Sequence, residues 1–384
     1  MQNFEYVNPV KILFGKGQIA KLPDEIPPEA LILMTYGGGS IKRNGVYDQV
    51  TAALKGRRVL EFGGIEPNPT YETCMQAVEI VRREGVNFLL AVGGGSVVDG
   101  TKFIAAAARF EGEPWDILAK GAAVKSAAPL GVVLTLPATG SEMNTFAVIS
   151  RQSTAEKLAF GSPAVYPKFS ILDPETTFSL PPRQVSNGIV DAFAHVLEQY
   201  LTYPANAPLQ DRMAEAILLT LIEEGPKTLA NPADYDSRAN VMWCATMALN
   251  GLIAVGVPQD WTTHMIGHEI TALHGLDHAQ TLAITFPGTL AVRRGAKREK
   301  LLQYAARVWG IRDGGEDERI EGAIAKTREF FESVGVKTRL SDYGLTRDTI
   351  AQVAARFEKR GWKGIGERGD IGPREVEAIL ACSV

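Results

Sequence analysis

The feature that most constrains the fold is a change in hydrophobic pattern near residue 180. Before that point, helical patterns separate short apolar runs that end in turns, and the runs are 31–36, 58–62, 87–92, 131–136 and 169–172. This order of strand, turn, helix and strand is typical of a parallel sheet that helices cover on both faces. The pattern therefore predicts an α/β domain over residues 1–180 with a parallel sheet.

The second half of the chain has a different pattern. Pro181 and Pro182 mark the end of the first pattern, and almost nothing beyond them reads as a strand. Long helical patterns cover 187–201, 209–229, 237–253, 259–273, 297–308, 316–334 and 346–359. A chain of 384 residues also suits two domains better than one, since single cores usually stop growing below that size. We therefore expect a helical domain over residues 181–384.

Composition argues against several classes of function. The 40 basic and 44 acidic residues give a net charge of −4 and form no basic cluster, which disfavours nucleic acid or a membrane as a partner. The three cysteines, Cys74, Cys244 and Cys382, show no paired spacing, as is usual in a reducing compartment. We find neither a signal peptide nor an apolar stretch of roughly 18 residues, so we expect a soluble, cytoplasmic protein.

Glycine-rich turns follow two of the predicted strands. They are Gly37, Gly38, Gly39 and Ser40 in the first turn, and Gly93, Gly94, Gly95 and Ser96, followed by Asp99, in the second. Glycine lets the backbone approach a ligand closely, and free N–H groups at a helix start can receive a pyrophosphate. One such turn is equally well explained as a tight connection, but two at the carboxyl ends of parallel strands favour a nucleotide site.

The first turn also bears on the choice of cofactor. A site specific for NAD(H) usually has an acidic residue that accepts the ribose hydroxyls and repels a 2′-phosphate. No acid follows the run 31–36; after the glycines come Lys42 and Arg43 instead. Basic residues are also common as solvated residues at a helix start, but the pattern favours NADP(H) over NAD(H).

A third polar turn follows the run 131–136. Here Thr135, Thr139 and Ser141 offer hydroxyl groups to a cofactor. Turn formation and helix capping explain such residues equally well.

The histidines are concentrated in the predicted helical domain. The chain has five of them: His195, His264, His268, His274 and His278. Asp191 and His195 have i, i+4 spacing, so both side chains leave one face of one helix, and a carboxylate buried in that apolar segment needs a partner or a metal. Carboxylate and imidazole groups together suit Fe²⁺ or Zn²⁺, although any one histidine alone is more often a core residue.

In their order and spacing, these motifs resemble the iron-containing alcohol dehydrogenase family, and in particular its butanol-dehydrogenase-like branch of NADPH-dependent aldehyde reductases. The resemblance extends over nearly the whole chain. It is carried by ILFGKG at 12–17, YGGGS at 36–40, EPNP at 66–69, AVGGGSVVDGTKFIA at 91–105, LPATGSE at 136–142, the pair Asp191 and His195, His264 and His268, and GLDHAQTLAI at 275–284.

The resemblance implies a Rossmann-like N-terminal domain, an all-helical C-terminal domain and an active-site cleft between them. It also implies a homodimer and one divalent metal ion, Fe²⁺ or Zn²⁺. The implied metal ligands are Asp191, His195, His264 and His278. Asn144, Lys157 and Leu172 join the residues of the three turns as candidate cofactor contacts.

Two histidines are candidates for proton transfer. The resemblance places His268 beside the nicotinamide and the substrate, and His274 is a weaker candidate on the same predicted helix. Hydrogen bonding to a metal ligand explains either residue equally well, as does capping of the helix end before Gly275 for His274.

We therefore expect an NADPH-linked, metal-dependent alcohol dehydrogenase that reduces short- to medium-chain aldehydes to primary alcohols. A lyase similar to dehydroquinate synthase is one alternative, but the segment 260–279 has no Lys or Arg that would hold an acidic substrate. A non-catalytic metal- or nucleotide-binding protein is the other alternative, although a structural zinc site is usually rich in cysteine.

Overall fold

The computed structural model describes every residue from Met1 to Val384. The chain forms two compact units, which we call the α/β unit (residues 7–180 and 232–246) and the helical unit (residues 1–6, 181–231 and 247–384). The segment 232–246 belongs to the α/β unit because its side chains pack there; Met242, for example, is fully buried in a core cluster of that unit. Such a long-range contact leaves no mark in the local sequence pattern.

The α/β unit contains eight strands. They are β1 (Lys11–Phe14), β2 (Leu31–Tyr36), β3 (Arg58–Phe62), β4 (Phe88–Gly94), β5 (Leu130–Leu136), β6 (Phe146–Arg151), β7 (Glu156–Gly161) and β8 (Phe169–Leu172). Its first five helices are α1 (Leu22–Glu25), α2 (Val46–Ala53), α3 (Tyr71–Glu84), α4 (Gly95–Ala107) and α5 (Asp116–Ala119). The five predicted strands are all present within two residues of their predicted ends.

Six of these strands form one parallel sheet with the order β1-β8-β5-β4-β2-β3. The chain passes from β2 outward to β3 and then returns to place β4 on the other side of β2. In doubly wound sheets a ligand binds at such a reversal, beyond the carboxyl ends of the strands. The first glycine turn follows β2, whereas the glycines predicted as a second turn form the end of β4 and the start of α4. β2 and β4 are the two strands that flank the reversal.

The sequence did not predict β1 or the antiparallel hairpin of β6 and β7. β1 has only four residues at the edge of the sheet. In β6, Ala147 and Ile149 are buried, but Val148 between them is also apolar, so no polar alternation marks the strand. Edge and half-covered strands of this kind are weakly encoded by local pattern.

Buried apolar side chains cover both faces of the large sheet. On one face, Leu33, Leu89 and Val132 pack in a cluster with residues of α3 and α4. Their sequence neighbours Ile32 and Leu90 point to the opposite face, where the cluster includes residues of α1 and α2. Successive side chains of a strand alternate between faces, and both faces of a parallel sheet need cover, which explains the continuous apolar runs.

The remaining helices are α6 (Pro182–Tyr200), α7 (Pro208–Ala230), α8 (Tyr235–Ala248), α9 (Thr262–His274), α10 (His278–Val292), α11 (Arg298–Arg307), α12 (Glu316–Ser333), α13 (Arg347–Arg360) and α14 (Pro373–Ala381). Together with the parallel sheet, they confirm the predicted fold class. α14 was not predicted. None of the helices combines the length and apolar character that crossing a membrane requires.

Candidate metal centre and nucleotide site

Three helices of the helical unit bring a carboxylate and three imidazoles together. Asp191 and His195 lie one turn apart on α6, His264 is in the first turn of α9, and His278 is the first residue of α10. The start of α10 is held near α6, since the Asn187 amide donates a hydrogen bond of 2.8 Å to Asp277, the residue before His278. The predicted i, i+4 pair on α6 therefore lies beside the N-terminal ends of α9 and α10.

The geometry around Asp191 fits a metal ion. Its Oδ1 atom lies 3.7 Å from His195 Nε2, 4.0 Å from His264 Nε2 and 3.6 Å from His278 Nε2. These distances are too long for hydrogen bonds. They suit ligands of one ion, because bonds of about 2.1 Å in a tetrahedral arrangement separate the ligand atoms by roughly 3.4 Å.

The protonation of the site also fits a metal. Asp191, His195 and His264 are all buried, and their ligand atoms lie within 4.8 Å of one another. Burial lowers the pKa of His195 well below its usual value, and the nearby His264 lowers it further, so this imidazole is neutral at pH 7. Nε2 of His264 is buried without a hydrogen-bond partner from the protein. A neutral imidazole with a free lone pair is the form that binds a metal.

Glu198, which the sequence reasoning missed, contacts His264 from the opposite side. Its Oε2 atom forms a short contact with His264 Nδ1, and its Oε1 atom accepts a 2.7 Å hydrogen bond from the Thr263 backbone N–H. Burial raises the pKa of Glu198, while the contact with His264 opposes that rise. The signal in the sequence was a charged residue three positions after His195 on an otherwise apolar helix face.

The two candidate proton-transfer histidines lie in different surroundings. The ring of His268 lies 6.3 Å from that of His264 and 5.2 Å from that of His278, between centroids, so it borders the cluster. His274 is ten residues beyond His264, or about 15 Å along the helix axis. There its Nε2 atom lies 3.3 Å from the Thr349 hydroxyl, and α9 ends before Gly275, whose φ is +71°. The structure therefore places His268, but not His274, beside the metal ligands.

The first glycine turn leaves room for a ligand. A side chain at Gly38 would meet no atom within 4 Å, and the φ of Gly38 is not positive, so the fold itself does not require glycine there. Gly39 has a φ of +87°, a backbone conformation that favours glycine. An unexplained glycine next to open space suits close approach of a cofactor to the backbone. Ser40, which follows, is exposed.

The second glycine turn is tightly packed. A side-chain carbon on Gly94 would lie 2.9 Å from Leu136 Cβ, and one on Gly95 would lie 2.4 Å from Thr139 Oγ1. The junction of β4 and α4 therefore packs directly against the end of β5 and the turn that follows it. Because α4 begins at Gly95, this packing leaves the first backbone N–H groups of the helix at the carboxyl edge of the sheet, where a phosphate would bind.

Three of the predicted cofactor residues form a buried network below these turns. Asp99 accepts hydrogen bonds from the Ser141 hydroxyl (2.6 Å) and from the Val148 backbone N–H (2.9 Å). The Asn144 side chain accepts a hydrogen bond of 3.0 Å from Lys102 and donates one of 3.3 Å to the Thr139 carbonyl. Asp99, Ser141 and Asn144 therefore hold the turn after β5 in shape.

Lys102 is a second residue that the sequence reasoning missed. It is fully buried, and it also donates 2.8 Å hydrogen bonds to the backbone carbonyls of Asn144 and Phe146. Burial lowers the pKa of Lys102 to about 7, against the opposing charges of Asp99 and Glu142. A single lysine inside the apolar helix pattern that follows Gly95 was the signal for it.

The other predicted cofactor residues are less uniform. Thr135 lies near the end of β5 and Thr139 in the turn after it, at the edge expected for a cofactor. Lys157, on β7, is buried and donates a hydrogen bond of 2.8 Å to the Asn68 side chain. Leu172 is fully buried, and its carbonyl accepts a hydrogen bond from the Gly15 N–H, so the structure does not offer Leu172 to a ligand.

An acid does lie near the first turn, although no acid follows β2 in the sequence. Glu61, on β3, accepts hydrogen bonds from the hydroxyls of Tyr36 (3.1 Å) and Tyr47 (2.5 Å) and pairs with Lys42 at 3.4 Å. These donors lower the pKa of Glu61, although burial opposes them. Both oxygens therefore already have donors, and Lys42 offsets the charge of this carboxylate. The first turn therefore favours NADP(H) over NAD(H), as its sequence predicts.

Comparison with known proteins supports the same interpretation of both sites. The model of a family described as iron-containing alcohol dehydrogenase matches residues 9–174. The model for the C-terminal part of the Fe-containing alcohol dehydrogenase family matches residues 185–362. These matches confirm the resemblance that the motifs indicated.

Individual relatives match over nearly the whole chain. The NADPH-dependent aldehyde reductase YqhD of Escherichia coli is 62% identical over 97% of both chains. A probable NADH-dependent butanol dehydrogenase of Bacillus subtilis is 43% identical over 100% of both chains. The crystal structure of the NADH-dependent butanol dehydrogenase A of Thermotoga maritima superposes with a TM-score of 0.95, at 37% identity, covering 100% of this chain and 99% of that one.

Proposed function

The chain belongs to the iron-containing alcohol dehydrogenase family and is an oxidoreductase of that family; from this premise we propose that it is a metal-dependent, NADPH-linked aldehyde reductase. The observation that carries the proposal is the placement of three imidazole Nε2 atoms within 4.0 Å of Asp191 Oδ1. A closed structural metal site would normally contain cysteine, whereas this donor set suits an ion that retains a position for substrate.

The metal would be held by Asp191 Oδ1 and by Nε2 of His195, His264 and His278. When bound, the divalent ion supplies a Lewis acid that polarises a carbonyl oxygen, and NADPH supplies a hydride to the carbonyl carbon. Burial keeps the imidazole of His195 neutral, as the lowered pKa of this residue indicates. The donor set accommodates Fe²⁺ and Zn²⁺ alike.

The cofactor would bind at the carboxyl ends of β2, β4 and β5. The N–H groups at the start of α4 would face the pyrophosphate, and the open space at Gly38 would admit the adenosine ribose. NADPH is favoured over NADH because Lys42 pairs with Glu61 near the first turn and offsets the charge that would repel the 2′-phosphate. The 62% identical relative is likewise named for NADPH.

Proton transfer would fall to His268. Its ring borders the cluster, 5.2 Å from that of His278 between centroids, and it is only half-buried. A ring nitrogen of His268 would pass a proton to the alkoxide that forms when the carbonyl is reduced. His274, about two helical turns further on, is not part of this proposal.

The substrates would be short- to medium-chain aldehydes, reduced to primary alcohols, as the names of the butanol dehydrogenase relatives suggest. We also propose that the protein acts as a homodimer, which light scattering on the purified protein would test. A cytoplasmic location is part of the proposal, and the three cysteines support it because none forms a disulfide.

The direct test follows NADPH absorbance with butyraldehyde. Metal-stripped protein should consume no NADPH, and protein reloaded with Zn²⁺ or Fe²⁺ should oxidise NADPH faster than NADH. If the reloaded protein binds NADPH but oxidises none with any of several aldehydes, the proposed reaction is wrong.

A further inference from the structure

We propose that Glu198 is a positioning residue for the metal centre: it fixes His264 in the tautomer that carries its proton on Nδ1 and leaves Nε2 free to bind the ion. The inference rests on the proposed metal site but concerns a residue outside its ligand set. Glu198 lies two turns beyond Asp191 and one turn beyond His195 on α6. Its side chain is buried.

Both carboxylate oxygens of Glu198 have partners on α9. Oε2 faces His264 Nδ1 in a short contact. Oε1 accepts hydrogen bonds from the backbone N–H groups of Thr263 (2.7 Å) and His264 (3.4 Å). These two N–H groups lie in the first turn of α9, where helix donors lack partners within the helix. These backbone donors occupy Oε1, so Oε2 is the oxygen that meets the imidazole.

A carboxylate oxygen that faces Nδ1 accepts a hydrogen bond from it, and this contact decides which ring nitrogen carries the proton. With the proton on Nδ1, His264 donates to Glu198, and Nε2 presents its lone pair toward Asp191. With the proton on Nε2, two lone pairs would face each other at Nδ1, and the atom aimed at Asp191 would be unable to bind a metal. This carboxylate–histidine arrangement is the one that orients metal-ligating imidazoles.

Backbone contacts keep Glu198 in register with α9. The Glu198 carbonyl accepts a 2.8 Å hydrogen bond from the N–H of Asp260, two residues before the helix begins. Asp260 is itself fixed by a 2.7 Å ion pair with the buried Lys297. The segment that carries His264 is therefore attached to α6 through both the backbone and the side chain of one residue.

The substitution Glu198→Gln tests the inference. The amide has nearly the same shape but offers one acceptor and one donor group. Whichever way it points, its NH₂ group faces either a backbone N–H or His264 Nδ1. We expect the Zn²⁺ dissociation constant, measured by chelator competition, to rise about 10- to 100-fold, the usual effect of losing such a partner. NADPH binding, measured by fluorescence, should not change.

A matched control is Glu215→Gln. Glu215 is also buried in the helical unit and accepts a hydrogen bond of 2.9 Å from Tyr200, but it does not contact His264. The control should leave the Zn²⁺ dissociation constant within about twofold of wild type. If Glu198→Gln binds Zn²⁺ as tightly as wild type, the inference is wrong. If wild-type protein binds no Zn²⁺ at all, the proposed function fails instead.

A second measurement needs no variant and covers the case in which Glu198→Gln does not fold. ¹⁵N NMR of the histidine-labelled, metal-free wild-type protein reports which ring nitrogen carries the proton. We expect His264 to have its proton on Nδ1. A proton on Nε2 would overturn the inference, because Glu198 would then not select the metal-binding tautomer.

Discussion

At the scale of single residues, Asp191 is the centre of the proposed chemistry. Three imidazole nitrogens lie within 4.0 Å of its Oδ1 atom, and His195 among them is held neutral by burial. The metal's charge would therefore be balanced in the ligand set mainly by this one carboxylate. We therefore expect the loss of this carboxylate charge to weaken metal binding strongly.

The substitution Asp191→Asn keeps the shape of the side chain and removes its charge. We expect the Zn²⁺ dissociation constant to rise by roughly 100-fold or more, since losing a ligand should exceed the effect of losing an outer partner. Aldehyde-dependent oxidation of NADPH should fall in parallel. The exposed Asp348→Asn serves as the control and should change neither quantity. Full activity in Asp191→Asn would place the metal elsewhere.

The substitution His268→Ala tests proton transfer. Removal of a general acid typically slows turnover by about 10²- to 10⁴-fold. We expect kcat for butyraldehyde to fall by at least about 100-fold. The Zn²⁺ dissociation constant should stay within a few-fold of wild type. His274→Ala is the matched control on the same helix and should retain its activity. Equal turnover in His268→Ala and wild type would assign the proton to another group.

The substitution Gly38→Asp tests the cofactor site. The fold has space for a side chain at this position, and the backbone conformation allows one. A carboxylate there would repel the 2′-phosphate and could accept ribose hydroxyls. We expect the ratio of kcat/KM for NADPH over NADH to fall at least about tenfold, because like charges a few Å apart near a surface repel by several kcal/mol. Gly38→Ala, which adds bulk without charge, should change the ratio little; an unchanged ratio in Gly38→Asp would move the ribose away from this turn.

At the residue level, the spacing of side chains was the information that the sequence offered. The i, i+4 pair Asp191 and His195 projects from one helix face, and the structure brings the predicted partners His264 and His278 to it. Glu198 was missed because its partner is 66 residues away along the chain. Glu61 was missed for a similar reason, since it reaches the first glycine turn from a neighbouring strand rather than from the turn itself.

At the scale of elements, one buried lysine connects α4 to the hairpin of β6 and β7. Lys102 leaves α4 and donates hydrogen bonds to carbonyls at Asn144 and at Phe146, the first residue of β6. The carboxylates of Asp99 and Glu142 raise its pKa, but burial outweighs them and brings the pKa down to about 7. Above about pH 7, folding therefore favours the neutral form of this lysine, whose two N–H groups then serve the three acceptor oxygens.

This coupling predicts how stability depends on pH. Between about pH 7 and the ordinary lysine value of 10.5, the unfolded chain binds a proton at Lys102 that the folded chain does not, so raising the pH favours folding through this group. Lys102→Met removes the dependence along with three hydrogen bonds. We expect its deficit in the free energy of unfolding, relative to wild type, to grow from pH 7 to pH 9 by up to about 1.4 kcal/mol per pH unit.

Urea denaturation at the two pH values measures the effect. The exposed Lys120→Met is the control, and its difference from wild type should not vary with pH. A deficit for Lys102→Met that is the same at pH 7 and pH 9 would contradict the lowered pKa.

Element-level prediction was accurate where burial on both faces made continuous apolar runs, as in β2, β4 and β5. It failed for the hairpin, since Phe146, Ala147, Val148 and Ile149 give an apolar run with no visible alternation. It also could not assign the first part of α8 to the α/β unit. That assignment depends on long-range packing of residues such as Met242, which no local pattern encodes.

At the scale of the whole molecule, the metal should contribute to the stability of the helical unit. All four proposed ligands belong to that unit. A ligand that binds only the folded state stabilises it by about 2.7 kcal/mol at 100 times its dissociation constant. Adding Zn²⁺ to metal-stripped protein should therefore raise the Tm by several degrees in calorimetry. Asp191→Asn should show no such shift; an equal shift in the variant would mean that Zn²⁺ binds another site.

The measurement that tests the central claim most directly is deuterium transfer from NADPH carrying ²H at the C4 position of the nicotinamide that is transferred. With butyraldehyde and metal-loaded protein, we predict one deuterium at C1 of the butanol product, and none from metal-stripped protein or from Asp191→Asn. Butanol that carries no deuterium, whichever of the two C4 hydrogens of NADPH is labelled, would contradict hydride transfer by this protein. Equal labelling with and without metal would contradict its dependence on the metal.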